Sequence, residues 1–256
     1  MCLILFAYRS HPGFDLILAA NRDEYYERPS ASPQFWEEAP QVLAGRDLVA
    51  GGTWLGITRR GRIGAITNYR DPSSLKKNAP SRGRLVGDFL LGKEDPLGYL
   101  ENIHRQANRY NGFNILLGDR RTLYWYSNRD GRILNLSPGL YGLSNHLLDT
   151  PWPKVLRGKE RMAEILKGTD AAFPEELFQL LQDRRFPPDE ELPSTGVDVE
   201  WERVLSPLFI RSPVYGTRSS TLLFITGDSR VTFLDRTFHS GPEPLDSRKF
   251  DFALDH

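Results

Sequence analysis

The sequence predicts an α+β protein in which antiparallel β-sheet is covered by helices. Two observations support this prediction. Short apolar runs of strand length occur in blocks, and these blocks alternate with pairs of longer stretches that have helical patterning. Blocks of hairpin-like strands separated by helices are typical of antiparallel sheets with helices packed on them.

The predicted elements in the first part of the chain are two hairpins. The apolar runs Cys2–Tyr8 and Asp15–Ala20 are separated by a His-Pro-Gly turn at residues 11–13, which predicts two paired strands. Trp54–Thr58 and Arg62–Thr67 repeat this arrangement around a second turn. We therefore expect these four runs to be strands.

Two helical stretches follow the second hairpin. The first spans about Gly83–Leu91, and the second runs from Asp95 to about Arg109, with Pro96 well suited to the first turn of a helix. Short strands, a second pair of helices and a last hairpin complete the pattern. The remaining predicted elements are strands Phe113–Leu117, Thr122–Tyr126, Arg132–Leu134 and Leu140–Leu143, helices Lys154–Leu166 and Pro174–Leu181, and strands Thr221–Thr226 and Arg230–Leu234.

The whole chain, residues 1–256, is predicted to form a single domain, because its sequence contains no internal repeat, low-complexity tract or convincing linker. Residues 184–213 are polar and rich in proline. A long segment of that composition predicts an excursion over the surface, or a lid.

The charge composition argues against several classes of partner. The chain has 33 basic and 33 acidic residues and a formal net charge of +0, so it lacks the electrostatic footprint of a protein that binds nucleic acid. The run Cys2–Tyr8 is too short to span a membrane, which predicts no integral membrane association. One cysteine excludes an internal disulfide and fits a reducing compartment, so we expect a cytoplasmic location.

That cysteine, Cys2, directly follows the initiator methionine. Removal of Met1 would give one residue both a thiol and a free α-amine. The thiolate is the reactive form of cysteine, and an α-amine with a reference pKa of about 7.7–8.0 can accept its proton near neutral pH. A terminal amine is a known base for the nucleophile beside it. Position alone leaves the alternative of an inert core cysteine open.

Polar residues follow three of the predicted strands. The run 21–24, Asn-Arg-Asp-Glu, follows the second apolar run. Asp23 would orient a nearby ammonium, and Arg22 would hold a substrate carboxylate or fix Asp23. The alternative is a charged turn with an Arg–Asp pair. Asn68 and Asn145 end two further strands, where asparagine usually forms a turn. Near a thiol, two such amides would instead donate hydrogen bonds to a developing oxyanion.

Short motifs of uncommon sequence extend in order over nearly the whole chain. They are Met1-Cys2, Asn21-Arg22-Asp23-Glu24, Gly45-Arg46-Asp47, Gly51-Gly52-Thr53-Trp54-Leu55-Gly56, Thr67-Asn68-Tyr69-Arg70, Ser81-Arg82-Gly83, Gly112-Phe113-Asn114, Leu143-Ser144-Asn145, Pro151-Trp152-Pro153-Lys154-Val155 and Tyr215-Gly216-Thr217-Arg218-Ser219. Taken together, they resemble the NRDE family, also called transport and Golgi organisation protein 2-like. Their number and order make this resemblance more specific than any single motif.

The resemblance implies a four-layer αββα sandwich of the N-terminal nucleophile hydrolase type, with two mainly antiparallel sheets flanked by helices. It also implies a relationship to choloylglycine hydrolases and penicillin V acylases. By that comparison, their nucleophilic cysteine corresponds to Cys2 and their early aspartate to Asp23. Their two strand-end asparagines correspond to Asn68 and Asn145, and their late arginine corresponds to Arg218.

One position departs from the pattern of those hydrolases. Their early arginine stands three residues before the aspartate, whereas here Arg22 directly precedes Asp23 and Ala20 occupies the earlier position. Adjacent residues of a strand point to opposite faces, so Arg22 and Asp23 enter one pocket only if the strand has already ended.

The first function implied by the resemblance is hydrolysis of a linear, non-peptide C–N amide bond in a small molecule. Cys2 would attack the carbonyl carbon and its own amine would transfer the proton. Asn68 and Asn145 would stabilise the oxyanion, and Asp23 would orient the amine. This chemistry requires no cofactor.

The second function is non-catalytic binding or trafficking of haem or of a lipid-like ligand on the same fold. Trp54, Tyr25 and Trp36 would then line an apolar pocket, although each such residue is more often simple core. Haem iron needs an axial ligand, which Cys2 or His146 would supply. The alternative for His146 is a partly exposed histidine in a turn. The sequence offers no cluster of ligands for a metal ion.

Overall fold

The computed structural model describes residues 3–168, 173–241 and 243–255. In chain order, the helices and strands of these residues are β1 (Leu3–His11), β2 (Phe14–Tyr25), β3 (Ser30–Trp36), β4 (Ala39–Asp47), β5 (Leu55–Thr58), β6 (Ile63–Asn68), α1 (Gly83–Leu91), α2 (Pro96–Arg105), β7 (Phe113–Gly118), β8 (Leu123–Ser127), β9 (Ile133–Asn135), β10 (Gly139–Leu143), α3 (Pro153–Ile165), α4 (Phe173–Leu181), α5 (Val199–Leu205), β11 (Tyr215–Thr226), β12 (Arg230–Thr237) and β13 (Asp246–Ala253). Single turns of 3₁₀ helix occur at Pro72–Ser74, Ala107–Arg109 and Asp189–Glu191.

The chain forms two compact units. The first comprises Met1–Glu27, Ser137–Ser144 and Leu148–Phe252. The second comprises Arg28–Leu136, Asn145–Leu147 and Ala253–His256.

The sheet of the first unit has the strand order β10-β1-β2-β11-β12-β13. The pairs from β10 through β12 are antiparallel. Alternate residues of β1, such as Leu3 and Leu5, enter a core that also contains Met162 of α3 and Phe178 of α4. The period-two pattern of the strand therefore places one apolar face against the helices.

The proline-rich stretch 184–213 belongs to this unit and contains α5. Residues 184–186 and 188–191 are exposed, whereas residues 206–210 are buried. Leu208 is part of the core between the sheet and the helices. Residues 206–210 of this segment are therefore packed into the unit.

The sheet of the second unit is a meander with the order β3-β4-β5-β6-β7-β8-β9, and its paired strands are antiparallel. Its core contains Ile115 and Leu117 from the sheet and Val86 and Phe89 from α1. Leu100 of α2 joins the same core. As in the first unit, helices cover an antiparallel sheet.

The predicted α+β class, with antiparallel sheets flanked by helices, is confirmed. The sequence patterns did not predict β3, β4, α5 or β13. Proline in a strand argues against a central position, but β3 is an edge strand and tolerates Pro33. β11 begins at Tyr215, whereas the predicted strand began at Thr221. The pattern missed the first residues of β11 because they are mostly polar although they lie within the sheet. Within the described residues, no helix combines the length and apolar character that a membrane span requires.

Candidate functional site

Strands β1, β2 and β11 bring polar side chains together at one end of the first unit's sheet. Leu3, the first described residue of β1, pairs with Asn21, and β2 continues beyond this pair to Tyr25. Arg22 and Asp23 are each 4% exposed. The run 21–24 is therefore buried strand at its first three residues, and the alternative of a charged surface turn is wrong.

Asn21 connects the sheet to the helical layer of the same unit. Its Nδ2 atom donates hydrogen bonds to the backbone carbonyls of Leu181 and Leu208, both at 2.8 Å. Its Oδ1 atom accepts a hydrogen bond from the Ser220 hydroxyl at 2.6 Å. Because Leu181 ends α4, the amide fixes the C-terminus of this helix on β2. This fully buried residue is structural.

Asp23 is held by a short chain of hydrogen bonds from the neighbouring strand. Thr217 lies opposite Asp23 in the β2–β11 pair, and its hydroxyl donates to Asp23 Oδ1 at 2.7 Å. The same hydroxyl accepts a hydrogen bond from the Ile210 backbone N–H at 2.9 Å. Because the hydroxyl oxygen accepts from the Ile210 N–H, its own proton points to Asp23. The two hydrogen bonds together fix the orientation of the carboxylate.

Arg22 and Asp23 both lie inside β2. Adjacent strand residues point to opposite faces, so the two side chains do not enter one pocket. The opposite strand is irregular here: Thr217 pairs with Asp23 and Ser219 pairs with Arg22. Arg218 is therefore the extra residue of a β-bulge, and it lies opposite the peptide that joins Arg22 to Asp23.

The Arg218 side chain binds the end of β2. Its Nη1 atom donates to the carbonyls of Tyr25 and Tyr26, at 2.9 and 3.0 Å. Burial lowers the pKa of the guanidinium, although arginine remains charged at any physiological pH. The predicted catalytic residues Asp23 and Arg218 thus lie at the same end of one sheet, and Arg218 stabilises the strand that carries Asp23.

In the second unit, the structure brings Asn68 and Asn145 into contact. Asn68 is the last residue of β6 and is exposed, whereas Asn145 is 5% exposed. Asn145 Nδ2 donates to the backbone carbonyl of Asn68 at 3.0 Å, and the Asn145 carbonyl accepts from the Arg70 N–H at 2.7 Å. The two asparagines are neighbours, as the oxyanion hypothesis requires of this pair.

His146 follows Asn145 and packs on Tyr69. Their rings are 4.8 Å apart, and a hydrogen bond of 2.7 Å joins His146 Nε2 to the Tyr69 hydroxyl. Burial lowers the pKa of the imidazole below its usual value. The His146 carbonyl accepts from Nδ2 of the fully buried Asn114 at 2.9 Å. His146 Nε2 is therefore occupied by a hydrogen bond to Tyr69 in this structure.

The three aromatic residues predicted to line a pocket have different environments. Trp36 is 3% exposed, belongs to the core of the second unit and donates through Nε1 to the Ala44 carbonyl at 3.1 Å. Trp54 is 7% exposed and packs so closely on Gly45 that a Cβ there would lie 2.4 Å from its ring. Tyr25, in the first unit, is 53% exposed. Both tryptophans therefore have core-packing roles.

The sequence interpretation missed two contributors, Thr217 and Tyr69. Both lie in motifs that were recognised, but a hydroxyl that orients another side chain has no sequence signature of its own. In the part of the chain that the structure describes, no three His, Cys, Asp or Glu side chains are grouped as metal ligands. Cys2 lies outside the described residues.

Comparison with known proteins gives a family assignment. A family model described as Transport and Golgi organisation 2 matches residues 1–240. The Transport and Golgi organization 2 homolog of Mus musculus is 37% identical over 257 residues, covering 93% of this chain and 93% of its own length.

Solved structures give more distant matches. A mutant conjugated bile acid hydrolase from Clostridium perfringens has a TM-score of 0.45 at 10% identity, over 98% of this chain and 92% of that chain. The Caenorhabditis elegans ortholog of N-acylethanolamine-hydrolyzing acid amidase has a TM-score of 0.43 at 10% identity, over 87% and 92% of the two chains.

Proposed function

This chain belongs to the Transport and Golgi organisation 2 family, and from that premise we propose that it hydrolyses a non-peptide C–N amide bond with Cys2 as the nucleophile. The α-amine of the same residue acts as the base. The observation that supports this proposal most directly is the buried, oriented Asp23 carboxylate at the end of β2.

The chain connection supports a role for Asp23 near the mature terminus. Cys2 directly precedes Leu3, which pairs with Asn21, and Asp23 lies two positions further along β2. Strand residues rise by roughly 3.3 Å each, so Asp23 lies about 7 Å along the strand from the Leu3–Asn21 pair. Cys2 directly precedes Leu3 in the chain, so the proposal requires its ammonium to span about this distance to Asp23.

Asp23 has the capacity for this role. An ionised carboxylate accepts hydrogen bonds at two oxygens, so Asp23 can bind more than one donor, and the Thr217 hydroxyl is one of them. A buried carboxylate is stable with positive or hydrogen-bonding partners, so an ammonium is a suitable partner for Asp23. Asp23 would orient the amine and stabilise its protonated form during the reaction.

The proposed reaction proceeds in two steps that conserve protons. The α-amine takes the proton of the Cys2 thiol, the sulfur attacks the acyl carbon, and the oxygen becomes an oxyanion. The C–N bond then breaks, and the ammonium gives its proton to the departing amine, which leaves a thioester. Water, deprotonated by the amine, attacks the thioester and releases the carboxylic acid and the thiol.

Asn68 and Asn145 are the proposed oxyanion donors. One N–H of the Asn145 amide already binds the Asn68 carbonyl, and an amide group carries a second N–H. The exposed side chain of Asn68 supplies further donors at the same strand end. Arg218 is a positioning residue in this scheme, because its hydrogen bonds fix the end of β2.

Intact-mass analysis after exposure to a library of N-acyl amides and acyl esters tests the proposal. Because the chain contains a single cysteine, a thiol-bound acyl group is assigned to Cys2 without ambiguity. We expect an acyl adduct on the wild type, none on Cys2→Ala, and a more slowly hydrolysed adduct on Cys2→Ser. Thr217→Val, which keeps the side-chain shape but removes the hydroxyl, should slow adduct formation.

The same variants should be titrated with haem, since a carrier predicts a different result. Absence of any adduct or product across the library, together with saturable haem binding that survives Cys2→Ala, would sink the hydrolase proposal. Haem binding lost in Cys2→Ala would instead identify the thiolate as the iron ligand.

A further inference from the structure

A cavity of about 320 Å³ in the first unit lies between the first turn and a half of α4 and the strands β12 and β13. Small-molecule sites usually have volumes of about 300–1,000 Å³, so this cavity fits a small ligand. None of the polar side chains assigned to the candidate site lines it.

Arg236 is one of three basic residues that line the cavity, with Arg248 and Lys249. Its guanidinium lies over the Phe178 ring at 4.0 Å, and its two terminal nitrogens donate to the two Glu175 oxygens at 3.1 and 2.5 Å. This is the bidentate geometry in which arginine recognises carboxylate and phosphate groups. The Phe178 face restricts the guanidinium plane, which prepares it for such a ligand.

Glu175 is the more exposed partner of this pair. The Glu175 side chain is 53% exposed and the Arg236 side chain 23%. An incoming carboxylate or phosphate would replace the bidentate contact of Glu175 with one of the same kind, so the exchange loses and regains similar hydrogen bonds to the guanidinium. Arg236 would keep its contact with Phe178 during the exchange.

The rest of the lining is divided between polar and apolar groups. Ser247, Arg248 and Lys249 of β13 and the buried Asp235 of β12 also line the cavity. Lys249 binds the exposed Asp251 at 3.1 Å. Pro174, Phe178 and Leu234 supply apolar surface. A ligand that matches this lining has an anionic head and a short apolar body.

We infer that this cavity binds a small amphipathic anion, with a carboxylate or phosphate monoester head on Arg236 and Lys249 and its apolar body against Phe178 and Leu234. Glu175 is the internal competitor for the head group. The inference is independent of the proposed hydrolase activity, since it uses none of its residues.

Isothermal titration with hexanoate, hexyl phosphate and hexanol tests this site on the full chain. We expect saturable binding of the two anions and much weaker binding of hexanol. Arg236→Gln should weaken anion binding by roughly tenfold or more, because it removes a charge-assisted pair of hydrogen bonds. Glu175→Gln should strengthen it several-fold, because the competing charge is gone. The stronger of the two anions identifies the head group.

Arg203→Gln is the matched control, since Arg203 forms a similar exposed pair with Asp189 away from the cavity. It should leave anion affinity unchanged. The site is refuted if neither anion binds the wild type, if hexanol binds as tightly as hexanoate, or if Arg236→Gln and Arg203→Gln have equal effects. Weaker anion binding by Glu175→Gln than by the wild type would also refute it. If Arg236→Gln fails to fold, Glu175→Gln still tests the site, because its amide can keep a hydrogen bond to Arg236.

Discussion

The Nδ2 atom of Asn145 donates a hydrogen bond to the backbone carbonyl of Asn68 at 3.0 Å. The bond uses the side chain of one asparagine and the main chain of the other. Replacement of Asn145 therefore removes it, whereas replacement of Asn68 preserves it. This asymmetry allows a structural role to be separated from a catalytic one.

Asn145→Ala and Asn68→Ala should each lower kcat by about 10²–10³, the usual effect of removing one oxyanion donor. Only Asn145→Ala should also reduce the free energy of unfolding, by about 1 kcal/mol, because it alone breaks the hydrogen bond. Steady-state kinetics and urea denaturation of both variants measure the two effects. Equal loss of stability with unchanged kcat would limit both residues to a structural role.

The mature protein should begin at Cys2, because the proposed base exists only when the α-amine is free. The rate should then fall in acid, with a single-proton limb, as this amine becomes protonated and stops acting as a base. Mass spectrometry of protein from its native host and a pH profile of kcat/KM measure these expectations. Retention of Met1 throughout the population would remove the self-activated nucleophile.

Asn21→Ala should destabilise the first unit by about 3 kcal/mol or more, since it leaves two buried carbonyls and a buried hydroxyl without their amide partner. Asn135→Ala is the matched control, because Asn135 is an exposed strand asparagine and its loss should change stability by less than about 0.5 kcal/mol. Thermal and urea unfolding of both variants test this. Similar stabilities for the two would contradict the assigned role of Asn21.

Asp235 makes stability dependent on pH. It is 2% exposed in β12, and the Thr221 hydroxyl donates to its Oδ1 at 2.6 Å. Burial raises its pKa from 3.8 to about 7. The folded protein therefore binds a proton here that the unfolded chain has released, so this contribution to stability is complete below pH 3.8 and is lost as pH rises through 7.

Asp235→Asn should accordingly be more stable than the wild type above pH 7, with the difference shrinking toward pH 4. Asp251→Asn removes the same charge from an exposed carboxylate whose pKa is lowered, mainly by the Thr232 hydroxyl, so it should not gain stability at high pH. Urea midpoints from pH 4 to 8 compare the two. Parallel curves for Asp235→Asn and the wild type would show that Asp235 does not titrate in this range.

The sequence predicted the strands whose apolar residues alternate or run together, such as β1 and β5, because burial of these residues decides the structure. It failed where tertiary context outweighs local pattern. The edge strand β3 includes Pro33, and the start of β11 is polar because Asp23 and Asn21 need hydrogen-bond partners there. Such requirements arise between segments distant in sequence.

Prediction of the candidate site followed the same division. The sequence predicted Asp23, Asn68 and Asn145 to follow or end strands, whereas Asp23 lies within β2, Asn68 ends β6 and Asn145 lies two residues after β10. It could not predict that Tyr69 binds His146 or that Thr217 binds Asp23. Both contacts depend on side-chain direction within a folded unit, which spacing along the chain does not encode.

The bulge at Arg218 makes the length of β11 a determinant of chemistry. In an uninterrupted strand Thr217 and Ser219 would share a face, but here they lie opposite the adjacent residues Asp23 and Arg22, which face opposite ways. Deleting one residue at this point would shift the phase of the strand and turn the Thr217 hydroxyl away from Asp23. Loss of a single codon would therefore change which side chains face Asp23. A sequence alignment of this segment pairs equivalent residues only if it places the extra residue at the bulge.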